Sequence, residues 1–576
     1  MIRAPRPGLT SDSRGSSFRQ ELVAALALGM SLAVVGCMSP SSEASEASEA
    51  PARADDRPNI VVIMADDMRV DDLLFMPRTR STLVRNGVEF ENSFSPNPLC
   101  CPARASFLTG RYSHNHKVFS HVAPWGFGAF DDRYTLATAL KASGYNTALV
   151  GKYLNGYGVQ RSAVTKGPSL HYVPRGYTDW YAALDTRAGS PLGSTYNYRH
   201  VSYNHNGRID AGHRGEYSTT GIGRIARRLI DGYARGDRPF FLLASFVAPH
   251  FGGPREPDDP ADARVGGTLK KLGTPARPTW VRGRFDRLIT RSPGLPRGGG
   301  PSEADMSDKP RYMRDLVEPD RRLRRGILES ARQRAESLYV LDIEVGRLVR
   351  TLKASKEWDN TVLVFTSDNG YFLGEHREPE GKGKPYEPAT RVPLLITGPG
   401  LRTGEKRYDP ITTIDLTATL LDLGNATGRL TAHHQVDGKS KWPILKAGDQ
   451  GWIAPVVTEG FIWRNIDSDR ARKSGFADRN RSYIGIRTAR YSYVRYIRGD
   501  EELYDLSVDA NQMRSMHRDP RYAEVRRTLR ATWSQYKDCR GASCRAPLAP
   551  DLQADPEQER ALTRSYWRQV AAVYSP

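Results

Sequence analysis

The residues best equipped for chemistry in this chain recur at one kind of place, just after a run of apolar, β-branched residues. NIVVIMADD ends in Asp66 and Asp67, and TVLVFTSDNG ends in Asp368 and Asn369. NTALVGK ends in Lys152, and FFLLASFVAPH ends in His250. Carboxylate and amide oxygens suit a hard cation such as calcium or magnesium. Lysine, arginine and histidine beside such a cation would clamp a tetrahedral oxyanion. Further cations stand close by in sequence: Lys382 and Lys384 in GKGKPYE, and Arg104 one turn beyond Cys100. Taken singly, Asp-Asp and Asn-Gly are ordinary cap and turn dipeptides. Their shared position is what singles them out.

That position is set by the elements around them. Runs at 59–67, 146–151, 240–248, 361–368 and 392–400 read as buried strands. Helical stretches fall between them, after Pro102 and over 131–144, 331–355 and 413–424. Alternation of this kind predicts an α/β layer fold with a largely parallel sheet. Ligands in such folds gather at the carboxyl ends of the strands. The helix expected from Pro102 would add its first amides to an anion site. Residues 253–327 interrupt the pattern with Pro, Gly and charge, and read as an irregular insertion. From about 450 the pattern becomes a small antiparallel sheet with a helix over PRYAEVRRTLRATWSQY.

The chain has five cysteines in 576 residues, and two are adjacent in PLCCPARASFLTGRY. Cys100-Cys101-Pro102-Ala103-Arg104, followed by ASFLTG, resembles the sulfatase signature C-x-P-(S/A)-R-x-x-h-h-T-G, where h is hydrophobic. The double-cysteine form, with His114 to His116 reading HNH, is similar to N-acetylglucosamine-6-sulfatases and extracellular heparan endosulfatases. The resemblance extends over most of 58–545. It implies an alkaline-phosphatase-like mixed sheet, mostly parallel and flanked by helices, with a smaller C-terminal antiparallel sheet and helix. It also implies that Cys100 is oxidised to formylglycine by a formylglycine-generating enzyme, Cys101 filling the unconstrained position.

By the same likeness, Asp66, Asp67, Asp368 and Asn369 would hold a calcium ion, with magnesium as an alternative, together with the modified Cys100. Arg104 would steady the formylglycine hydrate. Lys152, His250 and Lys382 would contact the sulfate, Lys382 being preferred to Lys384 because it lies four residues before Tyr386 in a K-x-x-x-Y-E pattern. The implied reaction is hydrolysis of a sulfate monoester, with 6-O-sulfate on N-acetylglucosamine units of sulfated glycans as the expected substrate. There are two departures. Ala103 stands for the commoner serine, and Leu154 occupies the place of the histidine in GKWHxG. The general acid is then left among His114, His116 and His376. Two other readings stay open: a formylglycine-dependent phosphonate monoester or phosphodiester hydrolase, and a non-catalytic lipoprotein that binds sulfated glycans.

Lys and Arg total 84 against 65 Asp and Glu, for a net charge of +19. That excess favours anionic partners. Zinc-finger spacing, an RNA-binding aromatic signature and a basic helix with heptads are all missing, which argues against nucleic acid. Arg3, Arg6, Arg14 and Arg19 precede the apolar run LVAALALGMSLAVVG, a signal-peptide layout too short to span a membrane. It ends at Cys37, placed as in a bacterial lipobox. The expected organisation is a lipoprotein-type signal over 1–36, a flexible tether over 37–57, a catalytic domain over 58–449 and a C-terminal subdomain over 450–576. The protein would be exported, either anchored to the cell envelope through a lipid on Cys37 or secreted. Export puts it in an oxidising compartment, where Cys539 and Cys544 in DCRGASC are spaced for a local disulfide.

Overall fold

In the computed structural model, which describes residues 55–187, 189–265, 267–461 and 480–574, the strand Asn59–Ala65 lies inside a ten-stranded sheet. The proposed signal, Cys37 and nearly all of the tether lie outside the described residues. Every residue of this strand is buried. Ile60, Val62 and Met64 face one hydrophobic cluster, while Val61, Ile63 and Ala65 face another. A strand covered on both faces needs apolar side chains at every position, so its sequence reads as an unbroken apolar run instead of an alternation.

Thr361–Ser367 and Phe240–Ser245 flank this strand in parallel. Asn146–Lys152 and then Asp179–Ala183 extend the parallel block on one side. The run at 392–400 forms Leu394–Thr397, and it pairs antiparallel to Thr361–Ser367. The large sheet is therefore mixed and mostly parallel. Helices cover both faces. Cys100–Thr109, Leu136–Ala142 and Thr413–Leu423 pack on one side. Ser218–Tyr233 and the 34-residue Arg321–Ala354 pack on the other.

Helix boundaries differ from the sequence reading: the helix expected over 131–144 is Leu136–Ala142, starting after the Thr135 cap, and two others shift at their starts. The first helix begins at Cys100 and not at Pro102, because Leu99 takes the extended N-cap conformation. Pro102 then sits in the first turn, where its missing N–H costs nothing. The long helix begins at Arg321 and not at 331, where the Asp320 carboxylate accepts from the Leu323 N–H at 2.7 Å. The preceding insertion contains a hairpin, Ala263–Val265 with Thr268–Lys270. It also has its own apolar anchor, with Leu272, Phe285 and Ile289 buried against Leu323 and Ile327.

Val456–Gly460, Tyr483–Arg487, Tyr491–Tyr496 and Glu501–Asp505 form the smaller antiparallel sheet, backed by Ala523–Tyr536. A further helix, Pro556–Val573, is capped by Asp555 and closes the described chain. Cys539 and Cys544, just after Ala523–Tyr536, are joined by a disulfide. Among the described residues, no helix is long and apolar enough to cross a membrane.

Candidate active site

The parallel strands all deliver their carboxyl ends to one edge of the sheet. Asp66 and Asp67 follow Asn59–Ala65, Asp368 and Asn369 follow Thr361–Ser367, and Lys152 ends its own strand. His250 follows Phe240–Ser245 by five residues. Cys100 enters from the side as the first residue of its helix. Its Sγ lies 3.2 Å from Asp66 Oδ1 and 3.7 Å from Asp67 Oδ1. Lys152 Nζ donates to Asp66 Oδ2 at 2.5 Å. Lys382 Nζ donates to Cys100 Sγ at 2.7 Å and also to Asp67 Oδ1. His250 Nε2 is 3.7 Å from Asp67 Oδ2, and its Nδ1 donates to the Phe251 carbonyl at 2.7 Å.

Arg104 lies behind this group. Its Nε donates to Asp368 Oδ2 at 2.8 Å, and its terminal nitrogen donates to the Lys152 carbonyl and to Ser245 Oγ. One guanidinium thereby ties together the ends of three strands. Asp368 Oδ1 accepts from the N–H groups of Asp67 and Asn369, which fixes the turn after each strand. Asp67 itself sits at φ 68, a left-handed conformation that aspartate tolerates better than most side chains.

These groups are buried, Lys382 partly so, and their charge states depend on one another. Burial raises the Asp66 carboxyl, but Lys152, His250, Arg104 and Lys382 together hold it below the ordinary carboxylate value. Burial disfavours the Lys152 ammonium, yet Asp66 keeps it charged and its pKa raised. Lys382 follows the same pattern, with Asp67 as the opposing charge. Burial and the Asp66 charge push the Asp368 carboxyl up to about 6. Burial lowers His250 to about 4. Burial and the Asp66 charge push the Cys100 thiol well above its ordinary value, so an unmodified Cys100 is held as a poor nucleophile.

The donor set fits a divalent cation. Ligand atoms of Asp66, Asp67, Cys100 and His250 lie within 4.8 Å of one another. Asp67 Oδ2 and Asn369 Oδ1 are buried without a hydrogen-bond partner. A buried acceptor left unpaired costs about 1–3 kcal/mol, which a bound cation would offset. Asp368 stands just behind this cluster, with both oxygens already accepting from Arg104 and backbone N–H groups.

Several residues weighed from sequence are engaged elsewhere. Lys384 pairs with Glu378 at 2.8 Å. His114 bonds Glu459 and the Cys539 carbonyl, and His116 bonds Ser106. His376 bonds Glu303 and stacks on Tyr386. Both ring nitrogens of His114 and of His116 are taken up in this way, the His116 Nδ1 accepting from the Val118 N–H, while His376 is held through its Nδ1. Cys101 is buried, and burial pushes its thiol up to about 12. Conversely, sequence reasoning passed over Tyr196 and Arg334. The Tyr196 ring lies 5.1 Å from Lys152 Nζ and 4.6 Å from the His250 ring, and Asn155 Nδ2 donates to its hydroxyl. Arg334, from the middle of the long helix, donates to the Asp67 carbonyl at 2.5 Å. Neither residue follows a strand, so the rule that found the others had no purchase on them.

A mostly parallel sheet with a buried, metal-capable cluster of acids and cations at its carboxyl edge defines an α/β protein with the groups of a metal-assisted active site. The chain belongs to the sulfatase family: the family profile described as Sulfatase matches residues 58–426. A second profile, N-sulphoglucosamine sulphohydrolase, C-terminal, matches 374–538. The protein is thus a sulfuric ester hydrolase. It is similar to an arylsulfatase of Volvox carteri, 29% identical over 558 residues, covering 91% of this chain and 81% of that protein. It is also similar to the human N-acetylglucosamine-6-sulfatase, 27% identical over 536 residues, covering 87% and 88%. Among solved structures it shares the fold of a protein in complex with its substrate D-glucosamine-2-N,6-O-disulfate. There the TM-score is 0.59 at 22% identity, over 84% of this chain and 98% of that one.

Proposed function

We propose that this sulfatase removes 6-O-sulfate from N-acetylglucosamine or glucosamine units of sulfated glycans, using a formylglycine made from Cys100 and a calcium ion held by Asp66, Asp67, Asp368 and Asn369. The observation that carries the reading is the place of Cys100. Its side chain sits at the carboxyl edge of the sheet between Asp66 and the Lys382 ammonium, at the first turn of a buried helix. The human relative's name and the substrate in the structural neighbour support the choice of sugar and position.

An aldehyde at position 100, hydrated beside a divalent cation, would supply one hydroxyl to attack sulfur as the S–O bond to the sugar breaks and the alcohol leaves, and a second whose proton loss would expel sulfate and restore the aldehyde. The chain's own groups do the rest. Lys152 and Lys382 face the space beside Cys100 and neutralise charge growing on the sulfuryl oxygens, with the His250 ring beside Asp67 as a further contact for the sulfate. Arg104 holds Asp368, and through it the backbone turns that carry Asp67 and Asn369. The helix beginning at Cys100 adds the partial positive charge of its first amides. Leader, lipid anchor at Cys37 and a modifying enzyme acting on C-C-P-A-R complete the proposal, and place the protein in the cell envelope or outside the cell.

The deciding experiment is an assay of protein made in its own host on N-acetylglucosamine 6-sulfate, the matching 6-phosphate and a phosphonate monoester. Sulfate release with much slower phosphorus chemistry is the expected result. Preference for the phosphonate would replace this reading with the phosphonate hydrolase one, and binding without any turnover would favour the glycan-binding one.

A further inference from the structure

We propose that a basic cleft beside Tyr196 is a second anion subsite, taking a sulfate or carboxylate on the sugar that adjoins the reacting unit. It rests on the sulfated-glycan reading above and narrows it: the preferred substrate is a polyanionic oligosaccharide, not an isolated sulfated sugar.

The cleft is lined by Arg187, Ser190, Ser194, Tyr196, His200 and Arg214, among others, and no carboxylate lines it. Arg187 and Arg214 are both exposed. Among the described residues neither makes an ion pair, whereas neighbouring arginines are taken up. Arg224 pairs with Glu216 at 3.0 Å, and Arg227 pairs with Glu344. Two guanidinium groups left without counterions around one concavity repel each other and favour an anion between them. Their planar forks match the oxygens of sulfate and carboxylate, and bidentate pairs of this kind are strong and directional.

One residue links the cleft to the catalytic edge. Tyr196 lines it, and the same ring lies against Lys152 and His250. Two residues on, the Tyr198 hydroxyl donates to the His250 carbonyl at 2.7 Å. Tyr196 is therefore common to the cleft that holds Arg187 and Arg214 and to the surroundings of Cys100. A neighbouring sugar unit could bridge the two.

The platform is also firmly built. Thr195 N–H donates to the Leu184 carbonyl at 2.8 Å, Ser194 N–H to His200 at 3.0 Å, and Gly193 N–H to Ser190 at 2.9 Å. Gly193 has φ 68, and a Cβ there would lie 1.8 Å from the His200 carbonyl oxygen, so only glycine closes this loop.

The test compares kcat/KM of the full-length enzyme on a heparin-type tetrasaccharide with that on p-nitrophenyl sulfate, which has no second anion. In the Arg187→Ala/Arg214→Ala variant the ratio of the two should fall about tenfold or more, through KM for the tetrasaccharide. Raising the salt should lower the wild-type ratio and move that of the variant much less. Arg235→Ala, an exposed arginine at the opposite end of the Phe240–Ser245 strand, should leave the ratio unchanged. Carboxyl-reduced and N-desulfated tetrasaccharides separate the two anion sources: whichever loses the advantage over the small ester carried the group. An unaltered ratio in the double variant overturns the subsite while leaving the sulfatase reading intact. If the wild type releases sulfate from no ester, that reading fails separately. Calorimetric binding of the tetrasaccharide then decides the cleft, with equal affinity in wild type and variant overturning it.

Discussion

Lys382 Nζ donates both to Cys100 Sγ and to Asp67, so one ammonium joins the first turn of a helix to the end of the first strand. The two acceptors are 33 residues apart in sequence, and the lysine is a further 282 beyond Cys100. Any charge that develops beside position 100 meets this ammonium without rearrangement.

Replacing Cys100 by serine should abolish sulfate release, by about 10⁴-fold or more, as loss of a nucleophile does elsewhere. The companion measurement is mass spectrometry of the tryptic peptide 86–104 from protein made in its native host. An aldehyde at Cys100 with Cys101 still a thiol is expected; a plain thiol at Cys100 in exported, active enzyme would refute the formylglycine chemistry.

Removal of divalent cations with a chelator should lower both activity and thermal stability, and calcium should restore both. At a calcium concentration a hundredfold above Kd, the stabilisation is about 2.7 kcal/mol. Asn369→Ala, which removes one orphaned buried oxygen, should raise the calcium concentration needed for the same rise in Tm. A Tm indifferent to chelator and calcium alike would remove the metal from the proposal.

Arg104→Ala should destabilise the fold by about 3–5 kcal/mol, since it strands the buried Asp368 carboxylate that Arg104 holds at 2.8 Å. Chemical denaturation reads this directly. A loss under about 1 kcal/mol would mean that Asp368 is not held as a charged partner.

A pH-dependent contribution is expected from the His114–Glu459 pair, 3.0 Å apart and buried. Burial raises Glu459, but His114 and Arg481 override it and bring it from 4.5 to about 2. Its stabilisation is therefore complete above pH 4.5 and is lost as the pH falls toward 2. Burial disfavours the charged His114 ring, yet Glu459 raises it above 6.5, so that share is complete below 6.5 and is lost as the pH rises through the folded value. The Tm difference between wild type and Glu459→Gln should peak between pH 4.5 and 6.5. A difference that keeps growing above pH 8 would contradict the pairing.

Opening the Cys539–Cys544 disulfide by a double serine substitution should cost about 2 kcal/mol, the chain-entropy value for so short a loop. The effect should extend beyond the loop, because the Cys539 carbonyl accepts from both His114 and Asn115. Thermal unfolding with and without reductant measures it.

Much of this arrangement was legible before any coordinates. The strands 59–65, 146–152, 240–245 and 361–367 are buried on both faces along their middles, so each has an apolar run at its centre and announces itself. The polar residue that breaks such a run marks the strand's carboxyl end, which is how Asp66, Asp67, Asp368, Asn369, Lys152 and His250 could be singled out. The strand at 394–397 was equally visible, but its antiparallel direction was not, since direction is a property of pairing and not of one strand. The histidines misled for a related reason. His114, His116 and His376 carry no periodic signature, and only the folded chain shows that Glu459, Ser106 and Glu303 are their partners.

The sequence by itself determined the fold class, the family signature around Cys100 and the polar residues that end the strands, because burial imposes local patterns that a chain cannot disguise. Tertiary structure alone decided which lysine of GKGKPYE reaches Cys100, which histidines are spent on carboxylates, and that Tyr196, Arg187 and Arg214 line one cleft. Those outcomes depend on the directions of side chains from segments hundreds of residues apart, and distances between such segments exist only once the sheet has closed around them.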